Sequence, residues 1–116
     1  MRLLCLSICC LLLAACASAP HPPTSRRHQA AERESAARLE ELIAAEKELS
    51  QQQLGAVPSC ERVCPFVENI RRLSNMICEL AQRHSDDEIL AANCRDAELR
   101  ATRARKRAPS SCSCAR

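Results

Sequence analysis

Residues 66–108 read FVENIRRLSNMICELAQRHSDDEILAANCRDAELRATRARKRA, and two apolar seams in this segment predict two packed helices. In the first seam, large apolar residues alternate at spacings of four and three, as one face of a helix requires: Phe66, Ile70, Leu73, Ile77 and Leu80. The second seam keeps these spacings with mostly smaller residues: Leu90, Cys94, Ala97, Ala101, Ala104 and Ala108. Because so few residues separate the seams, they predict an antiparallel helical hairpin.

The boundaries of the two helices are marked by capping residues and prolines. Residues 85–88 read SDDE, which has the form of a capping box. In such a box the Ser85 hydroxyl accepts an amide of the first turn while Glu88 reaches back to the cap. The second helix should therefore begin directly after Ser85 and end before Pro109. Pro65 fits the first turn of the first helix, where its missing N–H costs nothing.

Six of the ten cysteines lie within or beside the two seams: Cys60, Cys64, Cys78, Cys94, Cys112 and Cys114. An even number of cysteines in a small exported chain implies a disulfide framework. The need for such cross-links is plain, because Phe66 is the one aromatic residue and the domain has little core to bury.

The register of the hairpin limits how these cysteines pair. In an antiparallel hairpin, facing residues have numbers with a nearly constant sum, as Leu80 with Leu90 and Leu73 with Ala97 do. Cysteine pairs that fit this register to within a position or two are Cys78–Cys94 and Cys60–Cys112. Elimination then leaves Cys64–Cys114, although Cys112 and Cys114 are close enough in sequence to exchange partners.

The amino terminus has the pattern of an export signal. Arg2 is followed by a short apolar run from Leu3 to Ala15, and this run falls short of the roughly 20 residues that span a bilayer. Residues 1–15 are therefore predicted to be a signal peptide. An alternative cut after Ala19, at an ordinary secretory site, would leave Pro20 as the first residue, which ordinary signal peptidases handle poorly.

Residues 13–16, which read LAAC, resemble the lipobox of bacterial lipoproteins. The resemblance implies that Cys16 receives a diacylglyceryl group, that the leader is cut before it, and that the lipid anchors the protein to a membrane. Because Ala17 rather than Asp follows Cys16, the resemblance favours the outer membrane over the inner one. The predicted location is thus the bacterial cell envelope, with the folded part outside the cytoplasm.

The region between the anchor and the hairpin is predicted to be a spacer and a helix. Residues 16–28 contain three prolines and should form a stiff tether. Residues 29–54 are rich in Ala, Glu and Leu, contain no proline and should be helical. Their apolar stripe is narrow, which predicts a mostly solvated helical stalk, with a short coiled coil to another chain as the alternative: Leu39, Leu42, Ile43 and Leu49.

Taken together, these patterns predict an all-α protein: a disulfide-stapled antiparallel helical hairpin (residues 59–116) preceded by a separate N-terminal helix. The chain resembles small Cys-rich helical lipoproteins of high-GC bacteria, which have a lipobox, a helical hairpin and a terminal Cys-x-Cys. The resemblance implies no enzymatic activity. We therefore expect a non-enzymatic, membrane-anchored envelope lipoprotein that acts as a structural or interaction module, with another envelope protein as its partner.

No residue pattern predicts catalysis, a cofactor, a metal site, a small-molecule substrate or a nucleic-acid partner. Removing Arg2 from the 17 Lys and Arg leaves 16 against 14 Asp and Glu, a nearly balanced charge. His84 is interpreted as a cation at a helix C-terminus, and His21 and His28 as parts of a flexible segment. The alternative function is a secreted or periplasmic metal-binding or thiol-redox hairpin, which would use some of Cys60, Cys64, Cys78, Cys94 and His84.

A basic run, residues 100–107, lies late in the second helix of the hairpin. Its expected role is a solvated face whose cations interact favourably with the C-terminal end of the helix dipole. Attraction to anionic surfaces of the envelope is the alternative interpretation.

Overall fold

The structure, a computed structural model, describes residues 23–54 and 59–114. Within these ranges the chain forms three helices and no strand: α1 (Pro23–Gln52), α2 (Cys60–Arg83) and α3 (Glu88–Arg107). The predicted all-α class and the helical hairpin preceded by a distinct N-terminal helix are confirmed. The predicted signal peptide, the lipidation residue Cys16 and the first part of the tether lie outside the described residues.

Helices α2 and α3 form the hairpin, and its core is unequal on the two sides. The buried residues of α2 are mostly large and apolar: Val63, Val67, Ile70, Leu73, Ser74, Ile77 and Leu80. Those of α3 are Leu90, Ala97 and Ala104. Large side chains on one helix therefore meet alanines on the other, which lets the two backbones approach closely. The seam of α2 is broader than predicted, since Val63 and Val67 are fully buried while Phe66 is half-buried.

The turn between α2 and α3 corrects the predicted capping box. The N-cap is Asp87, not Ser85, and α3 begins at Glu88. One carboxylate oxygen of Asp87 accepts the amides of Ile89 and Leu90 at 3.0 and 3.1 Å. The physical reason is that the chain needs residues 84–87 to reverse direction, so Asp87 rather than the exposed Ser85 reaches the first free amides of α3.

Helix α1 packs against the hairpin instead of standing in solvent. Leu42 and Leu49 are both 0% exposed and belong to the same buried cluster as the α2 core. Small residues complete the buried stripe of α1: Ala31, Ser35 and Ala45. The prediction of a mostly solvated stalk is therefore wrong. Helix α1 also starts at Pro23, so residues 23–28 of the expected tether are helical, with a proline in the first turn as helices prefer.

Polar contacts fix the direction of α1, which runs parallel to α3 and antiparallel to α2. Near its middle, the Ser35 hydroxyl accepts a hydrogen bond from the Asn93 side chain at 3.0 Å. Further along, Glu46 forms a salt bridge of 2.6 Å with Arg100, and beyond the end of α1 the Gln53 side chain donates to the carbonyl of Arg107 at 2.8 Å. The three helices thus form an up-down-up bundle.

Arg100 is the charged group that links α1 and α3 most closely. Its guanidinium donates to Asp96 at 3.0 Å and to Glu46 at 2.6 Å. These hydrogen bonds, with that of Asp96 the stronger cause, raise the pKa of Arg100 above its ordinary value. Since two carboxylates already hold it, Arg100 does not belong to the free positive charge that the basic run predicted.

The packing of α1 leads to a prediction about stability. Leu42→Ala should lower the free energy of unfolding by about 2–5 kcal/mol, because it leaves a cavity between α1 and the hairpin. The matched control is Ile43→Ala, since Ile43 is the neighbouring residue and is 43% exposed; it should cost less than about 1 kcal/mol. Urea unfolding followed by circular dichroism measures both. Equal effects of the two variants would show that α1 is solvated.

Candidate functional site

Three disulfides cross-link the hairpin and its C-terminal tail. They join Cys60 to Cys112, Cys64 to Cys114 and Cys78 to Cys94, with Cα–Cα distances of 5.3, 5.0 and 4.6 Å. These are the partners that the register of the two seams predicted, including the choice between Cys112 and Cys114 that the sequence left open. Their Cα separations fall in the range that disulfides require.

The three bonds act at two different places. Cys78–Cys94 joins α2 to α3 directly, at a sequence separation of 16. The other two bonds fasten the tail, residues 108–114, to the first turns of α2, where the Cys112 amide also closes a turn onto the carbonyl of Pro109 at 2.8 Å. We call this end of the bundle the disulfide end and the opposite end, around residues 84–87, the turn end.

The disulfides answer the question of cysteine chemistry for the described residues. All six cysteines there are bonded, so none offers a thiolate for metal binding or for exchange. Cys78, Cys94 and Glu98 bring ligand atoms to within 4.8 Å of one another, but the two sulfurs are bonded to each other. Cys60 and Cys64 lie at the disulfide end and His84 at the turn end, so the cysteine–histidine ligand set considered from the sequence is not assembled.

A groove runs between α2 and α3 on the hairpin, close to the disulfide end. It encloses about 370 Å³ and its floor is apolar, being formed by Val67, Ala101 and Cys114. Its rims are polar, with side chains from both helices: Arg71, Ser74, Asn75, Glu98, Thr102 and Arg105. The groove exists because α3 presents the small side chain of Ala101 where a larger one would fill the space between the helices.

The charges of the groove suit a carboxylate-bearing ligand. Arg71 and Arg105 stand on opposite rims, and neither makes a side-chain hydrogen bond or ion pair with another described residue. A free guanidinium binds a carboxylate with paired hydrogen bonds. The basic run predicted Arg105, but Arg71 was missed, because an arginine on the polar face of an amphipathic helix carries no signal of its own in the sequence.

A second polar cluster lies at the turn end and brings together residues from all three parts of the bundle. His28 of α1 lies with its Nδ1 atom 3.7 Å from the Asp87 carboxylate, and its ring meets that of His84 edge-on, with centroids 5.1 Å apart. The interpretation of His28 as part of a flexible segment is therefore wrong. His84 does end α2, as its C-cap residue.

Comparison with known proteins finds no matching protein-family model, no similar curated protein and no similar solved structure. Within the described residues, no helix combines the length and the hydropathy needed to cross a membrane. The function must therefore be argued from the disulfides, the groove and the leader sequence themselves.

The pairing of Cys78 with Cys94 makes a thermodynamic prediction. Cys78→Ser and Cys94→Ser should each lower the free energy of unfolding by about 3 kcal/mol, because either change opens the same loop. The double variant should cost no more than either single one. Urea unfolding of the three variants and the parent protein measures this cycle, and additive losses would contradict a shared bond.

Proposed function

We propose that the protein is an exported lipoprotein of the bacterial cell envelope, held by lipid on Cys16, whose three-helix bundle is a non-enzymatic binding module. In this proposal residues 1–15 are removed as the signal peptide, and the outer membrane is the favoured location. The groove between α2 and α3 is the surface that receives the partner, which is another envelope protein.

The observation that carries the proposal is the complete pairing of the cysteines in the described chain. Disulfides persist in oxidising compartments and are rare in the cytosol, so they support a location outside the cytoplasm. The LAAC segment at residues 13–16 adds the anchor. The alternative of a thiol-redox or cysteine-ligated metal protein requires free thiols and is less well supported by this pairing.

The course of α1 supports a particular orientation of an anchored molecule. The chain enters α1 at Pro23, shortly after Cys16, and His28 lies beside the turn end. From His28 the helix runs to Ser50, which accepts a hydrogen bond from Arg107 at the disulfide end. At 1.5 Å per residue this distance is about 33 Å. The groove then faces away from the membrane that holds the lipid, where an envelope partner can reach it.

The groove also suggests the chemistry of the partner. Its apolar floor between two free arginines fits a short peptide segment that combines an apolar side chain with Asp or Glu. The rigid disulfide-linked rims lower the entropy lost on binding, because they are ordered before the partner arrives. A loop or terminus of another envelope protein has this form.

The anchor is tested by labelling. Cells fed with an alkyne analogue of palmitate should label the protein, and Cys16→Ser should abolish the label and leave a longer, uncleaved precursor. The matched control, Cys10→Ser, changes a cysteine of the leader and should leave the label in place. A Cys16→Ser protein that is still labelled would contradict lipidation at this residue.

The binding surface is tested by cross-linking in living cells. A photoreactive amino acid at Thr102, on the rim of the groove, should yield a defined adduct with one envelope protein. The same group at Glu40, an exposed position on α1, is the control and should yield none. Adding Arg71→Glu and Arg105→Glu should reduce the Thr102 adduct at least about tenfold. An adduct unaffected by these charge reversals would show that the groove does not hold the partner.

A further inference from the structure

The turn end contains a buried carboxylate oxygen that the fold itself leaves without a hydrogen-bond partner. The side chain of Asp87 is only 5% exposed. One of its oxygens caps α3, but the other, Oδ2, is buried and accepts no hydrogen bond in the part of the chain that the structure describes. A buried polar atom in this condition requires an explanation, and an ion is one of the usual ones.

The two histidines stand where ligands of a metal ion would stand. Two ligand atoms of one tetrahedral zinc ion are about 3.3 Å apart, since each lies 2.0–2.1 Å from the metal. The Nδ1 atom of His28 and the Oδ2 atom of Asp87 are 3.7 Å apart, a little wider than this spacing. Two imidazoles on one such ion have ring centroids about 5 Å apart, and the rings of His28 and His84 are separated by 5.1 Å.

We propose that His28, His84 and Asp87 form a binding site for a divalent transition-metal ion such as zinc. Imidazole nitrogens and a carboxylate oxygen are ligands of zinc and copper(II). His84 is half-buried at the end of α2, and its ring must turn so that a nitrogen points at the same position as Asp87 Oδ2. Three protein ligands leave a fourth position for water or for a ligand atom from a partner.

The surroundings of Asp87 prepare it for this role. Its other oxygen is held by the amides of Ile89 and Leu90, so the carboxylate is already oriented, as metal-binding carboxylates usually are by their own hydrogen bonds. The three ligands come from α1, from the end of α2 and from the residue before α3. Metal binding would therefore join α1 to the hairpin turn, and it depends neither on the lipid nor on the groove.

Zinc titration of the purified protein, with its disulfides intact and metal removed by chelation, tests the proposal. Calorimetry should show one zinc ion per chain, and saturating zinc should raise Tm by roughly 5–15 °C. Each of His28→Gln, His84→Gln and Asp87→Asn should weaken binding by at least about tenfold. Copper(II) bound to the parent protein should give an electron paramagnetic resonance spectrum with two imidazole nitrogens.

The controls separate a metal site from a structural contact. Asp87→Asn keeps a good N-cap residue, so its helicity should match that of the parent, and the neighbouring exposed Asp86→Asn should leave zinc binding unchanged. Circular dichroism confirms that each variant is folded. Absence of binding by the parent protein would overturn the proposal, and so would binding that survives both His28→Gln and Asp87→Asn.

Discussion

The covalent connection between α2 and α3 is the constraint on which this structure depends. Helix α3 contributes only one large buried side chain, Leu90, together with two buried alanines. Alanines bury little apolar area, and apolar area is what stabilises a helix against its neighbour. Without the bond between Cys78 and Cys94, and the two bonds that fasten the tail, little would hold α3 in place. The same alanines allow the close backbone approach that the bonds require.

Helix α1 supplies what the hairpin lacks. It adds two fully buried leucines, Leu42 and Leu49, to a core in which α2 has most of the large side chains. Its polar contacts with α3, from Ser35 to Gln53, fix the direction of packing. The result is a bundle of three helices in which one pair is joined covalently and the third packs by burial and hydrogen bonds.

The hairpin and its pairing were predictable because they follow from spacing. A short turn between two seams allows one register, and the register brings particular cysteines together. The packing of α1 was not predictable in the same way, since its buried stripe consists largely of small residues such as Ala31, Ser35 and Ala45. The cap on α3 was misassigned because Ser85 and Asp87 are both good caps, and only the path of the turn decides between them.

The candidate sites were less predictable than the fold, because each depends on residues that are distant in sequence. The groove joins Arg71 with Arg105, and the turn end joins His28 with His84 and Asp87. Neither set has a sequence motif. Their separation along the bundle also divides the molecule into two ends: the turn end lies near the start of α1, and the disulfide end holds the groove. An anchor at Cys16 would place the groove on the far side.

The pairing of the cysteines can be read directly by peptide mapping of the native protein under non-reducing conditions. Cleavage after Arg62 separates Cys60 from Cys64, and fragmentation across Ser113 separates Cys112 from Cys114. We expect the linked peptides Cys60–Cys112, Cys64–Cys114 and Cys78–Cys94, with no free thiol among these six cysteines. Free thiols, or a bond from Cys78 to any residue other than Cys94, would contradict a covalently locked hairpin.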